Sequence, residues 1–243
     1  MDSSCRQKSA AFSNGVNLGR GCNVLSLTYA GLIDRILHIK GRYVKIENGT
    51  KYENEDFSGI DLSEVRLEGA QFNKCCFGKA DMKEMKTVSC VFTVCDLSAV
   101  SMNASVHKNS SFTNCDFEKA SLFGTKFDNC KMTGSNFKET GISGLTIIEG
   151  DWSYISLRYR NLKGFNFRKV CLKYADLYGS TLEKADMRGA DLSNAVLQKT
   201  KLFGADLRGA KIEGIDFRGI DLTNVRFDIM QAVDVVVSYG AIF

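Results

Sequence analysis

The chain has 243 residues, with 32 basic and 28 acidic side chains leaving a net charge of +4, nine cysteines and no proline. An apolar fraction of 44% excludes a disordered protein, the length allows one domain or at most two, and no run of about 18 apolar residues offers a membrane span. Average composition would supply about a dozen prolines, so the fold excludes a residue with no backbone N–H to donate.

Residues 1–23 are polar and rich in Ser, Asn and Gly, which reads as a disordered segment without the apolar region of a secretory signal. Residues 24–54 read as a capping module. Ser26 suits a helix N-cap, Tyr29, Leu32, Ile33, Ile36 and Leu37 fall on one helical stripe, and Gly41 ends it. His38 then sits near the helix terminus, where an imidazole is favourable. Arg42 to Asn54 predicts a hairpin turning at Asn48-Gly49, and helix plus hairpin would cover the open edge of the segment after Asn54.

From Phe57 to Phe227 a five-residue step meets 35 positions, of which 33 are Leu, Phe, Met, Ile or Trp; the exceptions are Thr87 and His107. Two residues before each centre stands a small or β-branched residue, as at Ala70, Ala120, Ala185 and Ala205. The residue just before the centre is often Asp or Asn. The clearest stretch reads ADLYG STLEK ADMRG ADLSN AVLQK TKLFG ADLRG AKIEG IDFRG IDLTN. A period of five belongs neither to an ordinary helix nor to a flat strand. One large and one small inward position per quintet require a backbone that turns a corner each time. The quintets run without interruption, so no long loop projects.

The A(D/N)Lxx pattern over residues 55–227 resembles the pentapeptide-repeat family. The resemblance implies an all-β solenoid: a right-handed quadrilateral β-helix with four quintets per coil. That makes about nine coils and, at a spacing of about 4.8 Å, a rod roughly 42 Å long. In such a stack each coil buries its apolar side only against its neighbours.

Residues 228–243 read as a C-terminal cap. Asp228-Ile229-Met230-Gln231 fits a variant capping box. Ile229, Ala232, Val233, Val236 and Val237 make a helical stripe ending at Gly240, with Val235-Val236-Val237 leaving a strand as the competing reading. Arg218-Gly219-Ile220-Asp221-Leu222, Val225, Asp228, Gln231-Ala232 and Gly240 are similar to the C-terminal end of quinolone-resistance (Qnr-type) members of the family. That resemblance implies a homodimer through this end, with Ile229, Ala232, Val233, Val236, Ile242 and Phe243 as candidate cap and dimer residues.

Cys75, Cys90, Cys95, Cys115 and Cys130 take the small inward position, and Cys75, Cys95 and Cys115 stand twenty residues apart, in one column of successive coils. A straight column does not make a tetrahedron and no C-x-x-C occurs, so they read as small buried hydrophobes and as thiols of a reducing compartment. Thr87 and His107 are also twenty apart. They mark either a local bulge or a satisfied buried imidazole, or, with Ser105, a polar site. With no nucleophile motif, phosphate loop or metal signature, the expectation is a protein that is not an enzyme and carries no cofactor.

Residues 1–50, 51–150 and 151–243 carry net charges of +4, −3 and +3. Arg158, Arg160, Lys163, Arg168, Lys169 and Lys173 form a belt without acids, and Arg160 takes a small inward position. Arg168, Arg188 and Arg208 stand twenty apart, as a vertical column. Belt and column read either as a docking surface for an acidic protein, lipid headgroups or nucleic acid, or as a solvated face that Asp186 and Asp206 neutralise. Thin aromatic interleaving argues against single-stranded nucleic acid, and nothing specific supports a membrane contact.

The expected function is therefore binding of a protein partner. Two versions compete. The Ser/Asn-rich start, the non-repeat N-terminal module and the lack of acidity resemble type III secreted pentapeptide effectors acting on a host protein, delivered to the host cytosol without a classical signal peptide. The C-terminal match, with Tyr154-Ile155, Asn161-Leu162, Asn166-Phe167 and Asp176-Leu177, is similar to cytoplasmic Qnr-type proteins. That resemblance implies a DNA-mimicking binder of DNA gyrase or topoisomerase IV. DNA mimicry needs a dense negative surface, which a net charge of +4 does not supply.

Overall fold

A computed structural model describes residues 36–39 and 42–242. Every strand pairing from Lys51 onward is parallel and joins residues twenty apart: Lys51–Glu53 to Gln71–Asn73, then Val91–Thr93 and Ser111–Thr113 on one side, Arg66–Glu68, Lys86–Val88, Val106–Lys108 and Lys126–Lys131 on another, with Thr146–Asp151 beyond. Four quintets thus close one coil of a β-solenoid. The ladder of full strands accounts for about five turns rather than the nine expected; from Asp151↔Cys171 to Asp206↔Arg226 the register continues through isolated bridges.

One quintet explains the missing prolines. Leu97 N donates to Asp116 O (2.8 Å) and Ala99 N to Glu118 O (2.8 Å) in the next coil, Ser101 N to Ala80 O (3.0 Å) in the previous one, and Val100 N to Leu97 O (3.4 Å) across the corner. The fifth, Ser98 N, donates to Asp96 Oδ1 at 2.8 Å. All five N–H groups are used, and the carboxylate before the centre accepts the one that the backbone cannot. Proline would also fail at the corner, where Ala99 has φ 52°.

The core is a column on each inner side. Tyr52, Phe72, Phe92 and Phe112 stack at centroid distances of 5.0, 4.7 and 4.7 Å. Beyond Trp152 the same column continues as Leu172, Leu192 and Ile212, all buried.

Two N-terminal expectations are corrected. The residues expected to end the helix form a strand: Ile36–Ile39 pairs antiparallel with Arg42–Lys45, joining His38 to Tyr43. The β-branched and aromatic residues favour that pairing over a helical stripe. The remainder of the expected helix and residues 1–23 lie outside the described residues. Asn48-Gly49 is not a hairpin turn. Gly49 N donates to Glu68 O (2.9 Å), and Lys51–Glu53 joins the solenoid, so the pair is a corner of the first coil. A left-handed corner and a tight hairpin ask for the same dipeptide, which is why the sequence misleads there.

At the other end Ile229–Ser238 is a helix, not a strand. Asp228 and Gln231 form the capping box, and Gly240 (φ 92°) follows the end. Among the described residues no helix is long and apolar enough to cross a membrane.

Candidate interaction surface

His107 does not turn outward, and neither does Thr87. The imidazole lies in the core, stacked on Phe127 at 5.1 Å with its edge toward Phe112. Nδ1 meets Thr87 Oγ1 at 2.8 Å and Nε2 meets Ser105 Oγ at 2.9 Å; Thr87 in turn meets Ser110 Oγ at 3.0 Å. Burial pushes the imidazole down to about 3, so it is neutral and satisfied at physiological pH. This is the buried-imidazole reading; the bulge is not what the coil does.

The inward cysteines act as hydrogen-bond donors. Cys75, Cys95 and Cys115 Sγ donate to the carbonyls of Tyr52, Phe72 and Phe92, each 23 residues earlier, at 3.4–3.5 Å; Cys90 and Cys130 donate to Leu67 O and His107 O. Ser135 Oγ to Phe112 O (2.6 Å) and Thr140 Oγ1 to Phe117 O (2.8 Å) repeat the bond. The small inward position is therefore a donor position at most sites that carry SH or OH; the buried Ser180 hydroxyl is an exception, with no partner among the described residues. A hydrogen bond within the cysteine column, together with burial, pushes Cys95 up to about 12, and burial pushes Cys130 up to about 11, far from a reactive thiolate. Cys76 is paired and is not counted with these free thiols. Among the described residues no group of three or more His, Cys, Asp or Glu side chains is placed to hold a metal ion.

The basic belt is largely matched by acids in neighbouring coils, at contacts that the linear sequence hides. Arg158 meets Asp176 at 2.7 Å, Lys163 meets Glu183 at 3.0 Å, Lys169 meets Glu149 at 3.4 Å and Lys173 meets Asp191 at 3.4 Å. Arg160 turns inward, its Nη2 donating to Phe137 O (2.7 Å) and Thr140 O (2.6 Å). In the column, Arg188 and Arg208 are bidentate on Asp186 and Asp206 at 2.6–2.9 Å. The Arg208 guanidinium holds the Asp206 carboxyl down at about 2. Arg168 follows Asn166 instead of an Asp, and among the described residues it is the one exposed cation of belt and column that makes no ion pair.

Aromatic side chains supply what the charges do not. Tyr154, Tyr159 and Tyr174 are 60%, 69% and 49% exposed, and all three occupy left-handed corners with φ of 55–58°. A bulky residue is disfavoured there. Tyr154 stacks on Tyr174 at 4.9 Å. On the next corner Tyr159 lies edge-on to Tyr178 at 5.6 Å and covers Gly179, where an added Cβ would meet its ring at 2.7 Å. The Arg158 guanidinium carbon stands 4.4 Å from the centre of the Tyr178 ring, and Lys199 Nζ 5.4 Å from it. This cluster is absent from the sequence expectations. Its signal is three tyrosines at corner positions that elsewhere carry mostly Gly, Asn, Lys, Glu or Ala.

The C-terminal helix docks by a different face than its stripe suggests. Gln231 is buried, its Nε2 donating to Leu207 O (2.6 Å) and Ala210 O (2.7 Å), and Val235 packs beside the last coil. Ile229, Ala232, Val233 and Val236 point to solvent, as does Ile242 at 96% exposure; Phe243 lies outside the described residues.

The family model for pentapeptide repeats matches in eight copies, at residues 49–84, 108–138, 155–189, 171–209 and 200–228, more than half of the chain. A search of curated proteins gives no match. Among solved structures the chain is similar to a trypsin-treated variant of QnrB1, a plasmid-mediated fluoroquinolone resistance protein, with 21% identity over 81% of this chain and 98% of that one and a TM-score of 0.53. Full-length QnrB1 gives 19% identity over 80% and 97% of the chains and a TM-score of 0.51. HetL, a pentapeptide repeat protein involved in heterocyst differentiation regulation in the cyanobacterium Nostoc sp. strain PCC 7120, gives 22% identity over 73% and 87% and a TM-score of 0.35. With the five-residue rule, the twenty-residue register and more than half of its length matched, the chain belongs to the pentapeptide-repeat family.

Proposed function

We propose that this rod is a non-catalytic protein that acts by binding another protein, and that the partner is a host-cell protein, in the manner of the secreted pentapeptide effectors that its organisation resembles. One observation carries the reading: the groups able to do chemistry are committed to architecture, while the surface is left with aromatic corners. His107 is sealed in the core, the inward thiols donate to carbonyls, and carboxylates before the centres accept corner N–H groups. Exposed Tyr154, Tyr159 and Tyr174 have the composition of interface anchors. The acids in the second half of the rod are largely tied to Arg and Lys, which weighs against imitation of a bare phosphate surface. The test is a reporter fused to residues 1–25 under secreting conditions. Translocation supports the reading, and a reporter that stays inside the bacterium removes its main support.

A second reading, binding to DNA gyrase or topoisomerase IV, draws on the Qnr-type C-terminal sequence and on the likeness to QnrB1. Protection of supercoiling from a quinolone at stoichiometric protein would favour it over the first. Either version is compatible with a homodimer through the exposed Ile229, Val233 and Val236. A V233D/V236D double variant should then sediment as a monomer with its helix content unchanged.

A further inference from the structure

The ladder that builds the rod is interrupted once in its interior. In the coil before the interruption, the N–H groups of Phe117, Lys119, Leu122 and Gly124 donate to Asn136 O, Lys138 O, Gly141 O and Ser143 O at 2.8–3.1 Å. In the coil after it, Leu157, Tyr159, Leu162 and Gly164 donate to Asp176 O, Tyr178 O, Thr181 O and Glu183 O at 2.8–2.9 Å. In between, the equivalent N–H groups of Phe137, Glu139, Ile142 and Gly144 have no backbone acceptor among the described residues. Bridges reach Asn136 and Gly141 from above and leave Ser156 and Asn161 below, but none joins Asn136 to Ser156 or Gly141 to Asn161. Only the side through Trp152 is continuous, with Met132 N to Asp151 O at 2.7 Å, Gly134 N to Ser153 O at 3.2 Å and Cys171 N to Gly150 O at 2.9 Å.

The sequence supplies the cause. The inward position that elsewhere holds mostly small or β-branched residues carries Leu145, Ile155, Arg160 and Phe165 around this coil, with only Gly150 small among them. A single large residue is accommodated in a closed coil, as at buried Met85, but several around one turn overfill the space between coils at ladder spacing. Ile142, Leu145 and Phe165 are accordingly only partly buried.

Arg160 has a defined part in this. Its Nη2 bonds Phe137 O, 23 residues earlier, which is the bond that Cys115, Ser135 and Thr140 make with a thiol or hydroxyl elsewhere. It also takes Thr140 O, the carbonyl that Asn161 N would occupy in a closed ladder. A much longer arm makes the same bond across a wider gap. The parallel is the end of the rod, where Gln231 gives both protons of its amide to Leu207 O and Ala210 O. There too the last coil loses bridges, with none from Val196 to Asp216 or from Lys201 to Asp221. The middle of the rod is built like an end.

We propose that the rod is two stacks joined by a hinge along the Trp152 side, with Arg160 as the inward latch across the open sides, beside the exposed Lys169–Glu149 pair that spans the same gap. Opening separates residues 136–149 from 156–169 and bends the rod; closing is the Arg160 bond to Phe137 O and Thr140 O.

Amide hydrogen exchange on the full chain, resolved residue by residue, tests this. The amides of Phe137, Glu139, Ile142 and Gly144 should exchange at least tenfold faster than those of Phe117, Lys119, Leu122 and Gly124. Arg160→Ala, which removes charged donors from two carbonyls, should speed the first set by a further tenfold or so and leave the second unchanged. Equal protection of the two sets in the unsubstituted protein would overturn the hinge, whatever the variant does. Equal acceleration of both sets in the variant would overturn the latch.

Discussion

The two stacks solve one packing problem with different materials. Up to Trp152 the core is aromatic, with Phe72, Phe92 and Phe112 in one stacked column, and full strands form on two sides. Beyond it the centres are mostly Leu over Ala, and single bridges replace strands. The first stack carries thiols, hydroxyls and the His107 cluster inside; the second has fewer polar groups inside, among them Ser180, Thr200 and Arg160, and more outside, as Asp–Arg pairs and tyrosine corners. A five-residue rule therefore specifies the path of the chain without specifying what fills it. The polar interior and the decorated exterior are separate choices made on one backbone.

The comparison breaks most visibly under a buried charge. Leu192→Asp, at a position with no exposure, should cost roughly 5 kcal/mol or more. Circular dichroism should show the second stack melted, while exchange protection of Phe92 and Phe112 persists. Loss of both stacks together would make the rod one cooperative unit.

Between pH 7 and pH 5, above the range where the lowered carboxyls of the second stack titrate, acid should act on the first stack. The folded pKa of His107 is lowered by burial to about 3, against about 6.5 unfolded, so the unfolded chain binds more protons between those values. Stability is full above the unfolded pKa and falls as pH drops toward the folded one, by about 2 kcal/mol between pH 7 and pH 5. Urea midpoints at the two pH values measure it, and His107→Phe, which continues the stack onto Phe127, should abolish this acid loss. The same acid loss in His107→Phe would place its source elsewhere.

The second stack has its own weak point in the cap. Gln231→Ala removes two donors from buried carbonyls and half of the capping box, for about 1–3 kcal/mol. Faster exchange of Leu207 and Ala210 with unchanged Phe92 reads that loss. The smallest effect belongs to the outer pairs. Arg208→Ala should leave the melting temperature unchanged and let the Asp206 carboxyl rise from about 2 toward its ordinary value, in a carbon-detected NMR titration.

The path of the chain is legible in the sequence because the spacing of Phe57, Leu62 and Leu67 admits no other backbone. The ends are less so: Asn48-Gly49 serves a corner and a hairpin equally, and the stripe of Ile229, Val233 and Val236 looks like a docking face but points outward, since Gln231 holds the helix down. The ion pairs escape a linear reading because Arg158 finds Asp176 only once the coil is closed. Arg160 stands out against the repeat in the sequence. Its meaning emerges only with Leu145, Ile155 and Phe165 beside it, as a coil too bulky to sit at ladder distance from its neighbour.

Trp152 is the only tryptophan and lies at the joint, stacked on Phe137 at 5.5 Å and edge-on to Phe127 at 5.6 Å, and its indole N–H has no acceptor among the described residues. Urea unfolding followed by its fluorescence and by far-ultraviolet circular dichroism tests the division into two stacks most directly. The fluorescence transition should come at lower urea than the loss of β-structure; superimposable transitions would contradict the division into two stacks.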